Sequence, residues 1–260
     1  MQSEYSQTAK FPLIRLLVLS KHLDIVGALV VFLTSVSRNF QGTIFYEGRI
    51  EFGVPMDELL PMIQNGAYPL GFMAIIGAVF SMLSTRLVGK QNNWGNGIGI
   101  VTTINSGAND YLFGNHSALI TYPITFIVTS FATYNWYKGE RIRKRDARYY
   151  LIILTTLLIA YIIVYIGFYL FGGLDSALFF HTVAITFGLS LGANVCSSLK
   201  YEETWLSWAI YNAVQLVKNL IQMNIANVAK YIFYLVNAII TLIDWKWNGD
   251  RTDYSAAVQS

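Results

Sequence analysis

Hydrophobic and polar positions fall in blocks along this chain. Apolar runs of helical length stand at Gly66–Thr85, Trp94–Phe113, Ala118–Tyr137, Tyr149–Gly172, Ser176–Ser197, Trp205–Met223 and Ala229–Trp245, with short polar breaks between them. Each is close to the roughly 20 residues that a membrane-spanning helix needs. An earlier run, His22 to Tyr46, is apolar to Val36 and then meets Arg38, Asn39 and Gln41. That pattern predicts a broken span or an interfacial helix. The expected fold is an all-α integral membrane protein with seven core helices and an extra N-terminal helix.

Composition agrees with this pattern. Hydrophobic residues make up 54% and charged residues 13% of the chain, whereas a soluble domain carries about 25% charged residues. The 15% aromatic content suits belts at the two membrane interfaces. A net charge of +3 gives no reason to expect a nucleic-acid partner. Cys196 is the single cysteine and lies in an apolar run, so neither a disulfide framework nor a Cys-rich metal site is expected. Its expected role is packing, and no cofactor or metal is expected.

Lys and Arg give the direction of the spans. The stretch "KGERIRKRDAR" holds Lys138, Arg141, Arg143, Lys144, Arg145 and Arg148, whereas "GNHS" and "GGLD" at Gly114 and Gly173 hold neither residue type. The positive-inside bias places the basic loop in the cytoplasm. Counting outward from it predicts a multi-pass plasma-membrane protein with both termini cytoplasmic.

The seven runs divide as three, one and three around the basic loop. Trp94 and Trp205 open the second run of each triplet, and Trp136 and Trp247, near the triplet ends, stand at the same separation. The expected organisation is an N-terminal segment over 1–65, a first repeat over 66–137, the basic loop and connector over 138–172, a second repeat over 173–247, and a tail over 248–260. Parallel repeats around a central pathway are a transporter architecture.

Within the second repeat, "ETWLSWAIYNAVQLVKNLIQ" carries Trp205, Trp208, Asn212, Gln215, Asn219 and Gln222 at alternating three- and four-residue steps. On a helix they share one face. Amides facing lipid would lack partners, so this face must look inward. Interhelical glue would explain one such amide. Four amides with two indoles favour a solute pathway, because indoles stack on flat rings and amides both donate and accept hydrogen bonds. Asn237 on the last run, with Tyr234 and Thr241, and Asn194 on the fifth are expected to complete the polar shell.

Absences bear on mechanism as well. No carboxylate lies near the centre of these runs, since Asp110, Asp175 and Asp244 stand at helix ends. This favours an uncoupled facilitator over an ion-coupled carrier. The sequence holds no HExxH, GxSxG or Walker motif, so an enzyme is not expected. A phosphorylated substrate is expected to be excluded, with Lys218, one position off the stripe, the residue best placed to change that.

"GLDSALFFHTVAITFGLSLGANVCSSLKYEETWLSWAIYN" and "YLVNAIITLIDWKW" resemble the PnuC family of nicotinamide riboside transporters, as do "VGKQNNWGNGIGI" and "YNWYK". The residues that carry the resemblance are Asp175, Asn194, Lys200, Trp205, Trp208, Asn212, Asn237 and Trp245. It implies a SWEET-like 3+1+3 fold, a homotrimer and facilitated diffusion of nicotinamide riboside. It also implies uptake driven by a cytoplasmic riboside kinase. The family's Pro-x-Gln in the third helix is replaced here by Ile127, Val128 and Thr129, which leaves thiamine, riboflavin and deoxynucleosides open as substrates. A seven-helix retinal protein is the alternative from another class, with Lys230 in the last run. Lys230 stands at that run's edge, however, and no mid-helix carboxylate is present to serve as counter-ion.

Overall fold

The computed structural model describes residues 10–90, 92–136, 144–201 and 203–248. Lys138, Arg141, Arg143 and the tail from 249 therefore lie outside the described residues. Seven long helices coincide with the seven expected runs: α4 (Leu70–Gly89), α5 (Trp94–Leu112), α6 (Ala118–Trp136), α7 (Ala147–Phe171), α8 (Ala177–Ser198), α9 (Thr204–Ile221) and α10 (Ile225–Trp247). Side-chain caps set several starts. Asp146 accepts from the Tyr149 amide ahead of α7, Ser176 from Phe179 ahead of α8, and Asn224 from Asn227 ahead of α10. The Tyr149 amide bond is also the chief reason the Asp146 carboxyl lies below its ordinary pKa.

Six of these helices close a ring. Each neighbour in the order α4, α5, α6, α8, α9, α10 packs on the next, and α10 returns to α4. α7 lies outside this ring against α8 and α6. Its close approach to α8 depends on Gly188 and Gly192, a four-residue repeat of the smallest side chain. A Cβ at either glycine would stand under 3 Å from the α7 atoms at Leu157 or Thr156. Four ring or connector helices, α4, α7, α8 and α10, are long and apolar enough to cross a membrane by length and composition alone. α5 and α9 are more polar, in keeping with the cavity they line.

The N-terminal segment is more elaborate than one extra helix. α1 (Pro12–Leu19) and α2 (Lys21–Ser37) form a span-length pair bent by 60°. α2 then packs on α4 and α10. The helical membrane fold is as expected, with one local addition in this segment. A two-stranded antiparallel hairpin, β1 (Ile44–Tyr46) with β2 (Arg49–Glu51), follows, and then a short α3 (Met56–Gln64). Glu47 and Gly48, both at positive φ, make the two-residue turn, a geometry whose twist suits a hairpin. Polar residues after Val36 thus end the helix, and the Glu-Gly turn reverses the chain.

Arg86 fastens this segment to the ring. Its guanidinium donates to Asp24 on α2 at 2.6 Å and to Asn237 on α10 at 2.7 Å. It also donates to the carbonyls of Leu17, Val18 and Ser20, between 2.9 and 3.0 Å. Three helix ends therefore meet at one buried cation. Replacing it strands Asp24 and those carbonyls, and loss of one partner of a buried pair costs about 3–5 kcal/mol. Lys90 keeps one contact to Asp24, so the expected loss for Arg86→Met is at the lower end, read as a fall in melting temperature. An unchanged melting temperature would show that the N-terminal segment is held by packing alone.

Candidate functional site

Inside the ring lies a cavity of about 200 Å³, lined by side chains from all six ring helices. Its walls are unlike the lipid-facing surface. α4 contributes Ser81, Ser84 and Thr85, α5 contributes Thr103, Ser106 and Asp110, and α6 contributes Tyr122, Thr125 and Thr129. Hydroxyl and amide side chains that line the cavity, such as Asn96, Thr103 and Ser106 on α5 and Asn212 and Gln215 on α9, account for the lower hydropathy of those two helices.

Five of the seven residues expected to bind substrate line this cavity: Asn194, Trp205, Trp208, Asn212 and Gln215. Trp205 is buried, with its ring edge-on to Trp245 at 5.5 Å, and its Nε1 has no hydrogen-bond partner among the described residues. Trp208 is half-buried and meets the Tyr211 ring edge-on at 5.2 Å. Gln215 donates to the Tyr211 hydroxyl at 2.8 Å, and Asn194 donates to the Ser190 carbonyl at 2.9 Å. Asn212 is buried and makes no side-chain hydrogen bond among the described residues. It is the amide left facing the cavity.

Asn219 and Asn237 are not among the lining residues. Asn219 donates to the Gln215 carbonyl and side-chain oxygen, at 2.8 and 3.2 Å, so it steadies Gln215 from the next turn. Asn237 serves Arg86 behind the wall, and its Nδ2 is buried without a partner. Sharing a helix face did not suffice to bring these two amides into the cavity.

The walls also carry charge that the stripe did not suggest. Asp110, Lys218 and Lys230 all line the cavity. Lys218 Nζ holds both carboxylate oxygens of Asp110, at 2.8 and 2.9 Å. The same carboxylate accepts from Gln222 at 2.8 Å, Asn115 at 2.6 Å and Tyr122 at 3.3 Å. Lys230, at a membrane edge by the sequence, lies more than a turn inside α10, which begins at Ile225 rather than Ala229. The amide-and-indole wall from which phosphate exclusion was expected is therefore incomplete.

Aromatic residues outside the stripe make a second feature. Tyr211 meets Tyr231 at 6.1 Å, and Tyr231 meets Tyr234 at 5.6 Å, all edge-on. With Trp208 they form a continuous row of rings from α9 to α10 along the cavity. One signal was present in the sequence. Lys230, Tyr234, Asn237 and Thr241 follow steps of four, three and four on α10, so the face chosen through Asn237 already included Lys230 and Tyr234.

The sequence profile of a family described as "Nicotinamide mononucleotide transporter" matches residues 71–247. The chain belongs to that family. The match spans the whole ring and the α7 connector and omits the N-terminal segment. No curated protein sequence matches the chain significantly. Among solved structures, the fold is similar to the crystal structure of the vitamin B3 transporter PnuC, with a TM-score of 0.60 at 15% identity, covering 87% of this chain and 91% of that one. The shared fold is thus that of a multi-pass helical membrane transporter of this family.

Proposed function

We propose that the protein is a facilitator for a pyridine riboside, which it binds in the ring cavity with Trp205 and Trp208 as ring walls and Asn212, Gln215 and Asn194 as polar contacts. The observation that carries this reading is Asn212, an amide that lines the cavity with no hydrogen-bond partner among the described residues. An amide open to the cavity and not engaged by the protein can both donate to and accept from a ligand hydroxyl or carboxamide. Membership in a family named for nicotinamide mononucleotide supports the pyridine ring and ribose. Cytoplasmic termini, a homotrimer and trapping by a cytoplasmic kinase complete the proposal.

Uncoupled transport is part of this reading. Among the described residues, the carboxylate in the cavity wall is Asp110, and its oxygens are occupied by four donor side chains. A carboxylate whose oxygens are taken up by protein donors has little room to hold a coupling cation. Proteoliposomes carrying the purified protein should therefore bring nicotinamide riboside to equal concentrations on both sides and stop. Accumulation above the outside level under an imposed proton or sodium gradient would contradict it.

A further inference from the structure

We propose that the Asp110–Lys218 pair, with Gln222, is a crossbar that closes the cavity at the end of the ring opposite the basic loop, and that it must part for a solute to pass there. This goes beyond the riboside reading and needs only a solute that travels through the cavity.

In the ring order given above, α5 and α9 stand second and fifth of six, so they face each other across the cavity. They also belong to different repeats, α5 to the first and α9 to the second. Lys218, in the last turn of α9, crosses the ring to both oxygens of Asp110, in the last turn of α5. Gln222, just past α9, donates to the same carboxylate at 2.8 Å and to the Phe113 carbonyl at the end of α5 at 3.3 Å. By contrast, Arg86 with Asn237, Tyr234 with Ser81 and Trp245 with the Gly89 carbonyl tie α4 to its ring neighbour α10. Asp110, Lys218 and Gln222 are all buried, and they stand between the cavity and the water at that end.

Two repeats that carry a solute between them part at one end and then at the other. Apolar side chains can slide during such a motion, but hydrogen bonds and an ion pair that span the gap are lost once it widens. The chemistry of this crossbar suits repeated breaking. Burial already costs each ion much of what pairing returns, and water entering the parted ring would hydrate both. Exchange of the pair for water is therefore close to balanced, as a gate that cycles requires. The carboxylate also keeps its place when α9 withdraws, because Asn115 and Tyr122 from its own repeat still donate to it. Lys218 then has a fixed acceptor to return to.

The test is thiol labelling of the full-length protein in oriented proteoliposomes, with a membrane-impermeant maleimide added to one side at a time. Cleavage by trypsin identifies the side that holds the basic loop. Ser106→Cys reports on the cavity one turn inside the crossbar, and Asn96→Cys reports on it at the other end of the same helix. Cys196 is buried, and the chain with Cys196 alone gives the blank. Asp110→Ala with Lys218→Met removes the crossbar without stranding a charge. It should speed labelling of Ser106→Cys from the side opposite the loop by about tenfold. Labelling of Asn96→Cys from the loop side should not rise, because a population shifted toward one opening is drawn from the other. The readout needs no substrate, so its outcome is independent of the riboside reading. A change under about twofold at Ser106→Cys would overturn the crossbar. So would a parallel rise at both cysteines, which is what general loosening gives. If the double variant does not fold, Gln222→Leu keeps the ion pair and removes its companion donor. It should speed labelling of Ser106→Cys by about threefold without a rise at Asn96→Cys, and no change there would overturn the crossbar equally.

Discussion

Asp110→Ala should lower the melting temperature of the detergent-solubilised protein by on the order of 10 °C, from a loss of about 3–5 kcal/mol. Asp110 is 7% exposed and Lys218 4% exposed, so truncation leaves a buried ammonium with nothing to face. Three further donors, on Gln222, Asn115 and Tyr122, lose their acceptor at the same time. Most of the cost is the stranded charge, because a buried pair gains little over apolar side chains of similar size. The double variant Asp110→Ala with Lys218→Met should therefore recover much of the loss. Recovery separates stranded charge from lost packing, since a packing defect would grow with the second truncation. A single-variant shift below about 2 °C would mean that Lys218 finds water or another acceptor.

The ring helices were legible because their signal is redundant. Each run is long, apolar and bounded by polar breaks, so α4 to α10 fall within a few residues of the expected spans. The late start expected for α10 has a specific cause. "NIANVAK" reads as a polar break, yet Asn224 caps the helix and the rest of the stretch is its first turns, with Ala226 and Lys230 buried. Polar residues inside a polytopic protein need not mark a loop, because the interior offers them partners. The N-terminal hairpin was missed for a different reason. Two three-residue strands joined by a two-residue turn at Glu47 and Gly48 make no run of span length.

Helix-face spacing found the cavity wall but could not measure its depth. Trp205, Trp208, Asn212 and Gln215 reach the cavity, while Asn219 and Gln222, on the same stripe, do not line it. The stripe is straight on its own helix, but the neighbours α8 and α10 and the side chains of α5 across the ring decide where space is left. The same limit holds on α5. Asn105, central on that helix, donates to the Met73 carbonyl on α4 at 2.9 Å, whereas Thr103, Ser106 and Asp110 are among the α5 residues that line the cavity. Asp110 stands near the end of α5, as the sequence shows, but a sequence does not show that its carboxylate meets four donor side chains from two helices and two loops.

Trp208→Ala and Asn212→Leu should each weaken riboside binding by about tenfold or more, equivalent to 1.4 kcal/mol, while leaving the protein folded. The structure gives the two competing roles opposite signatures. Asn212 makes no side-chain hydrogen bond among the described residues, so its replacement breaks none within the protein. Any affinity lost with it belongs to the ligand. Trp208 is half-buried, so truncation removes a wall more than a core residue. Its indole face would attract a pyridinium by roughly 0.5–2 kcal/mol. Asn237 supplies the contrast. It accepts from Arg86 behind the cavity wall, so Asn237→Leu should lower the melting temperature and leave the affinity of the surviving protein unchanged. Leu206 lies 43% exposed on the lipid-facing side of α9, and Leu206→Ala should alter neither property. Binding titrations and melting curves on the four variants then form a crossed pattern, with affinity lost at Trp208 and Asn212 and stability lost at Asn237. If Asn212→Leu melts like Asn237→Leu and binds like wild type, the α9 face is interhelical glue and the ring cavity is not the riboside site.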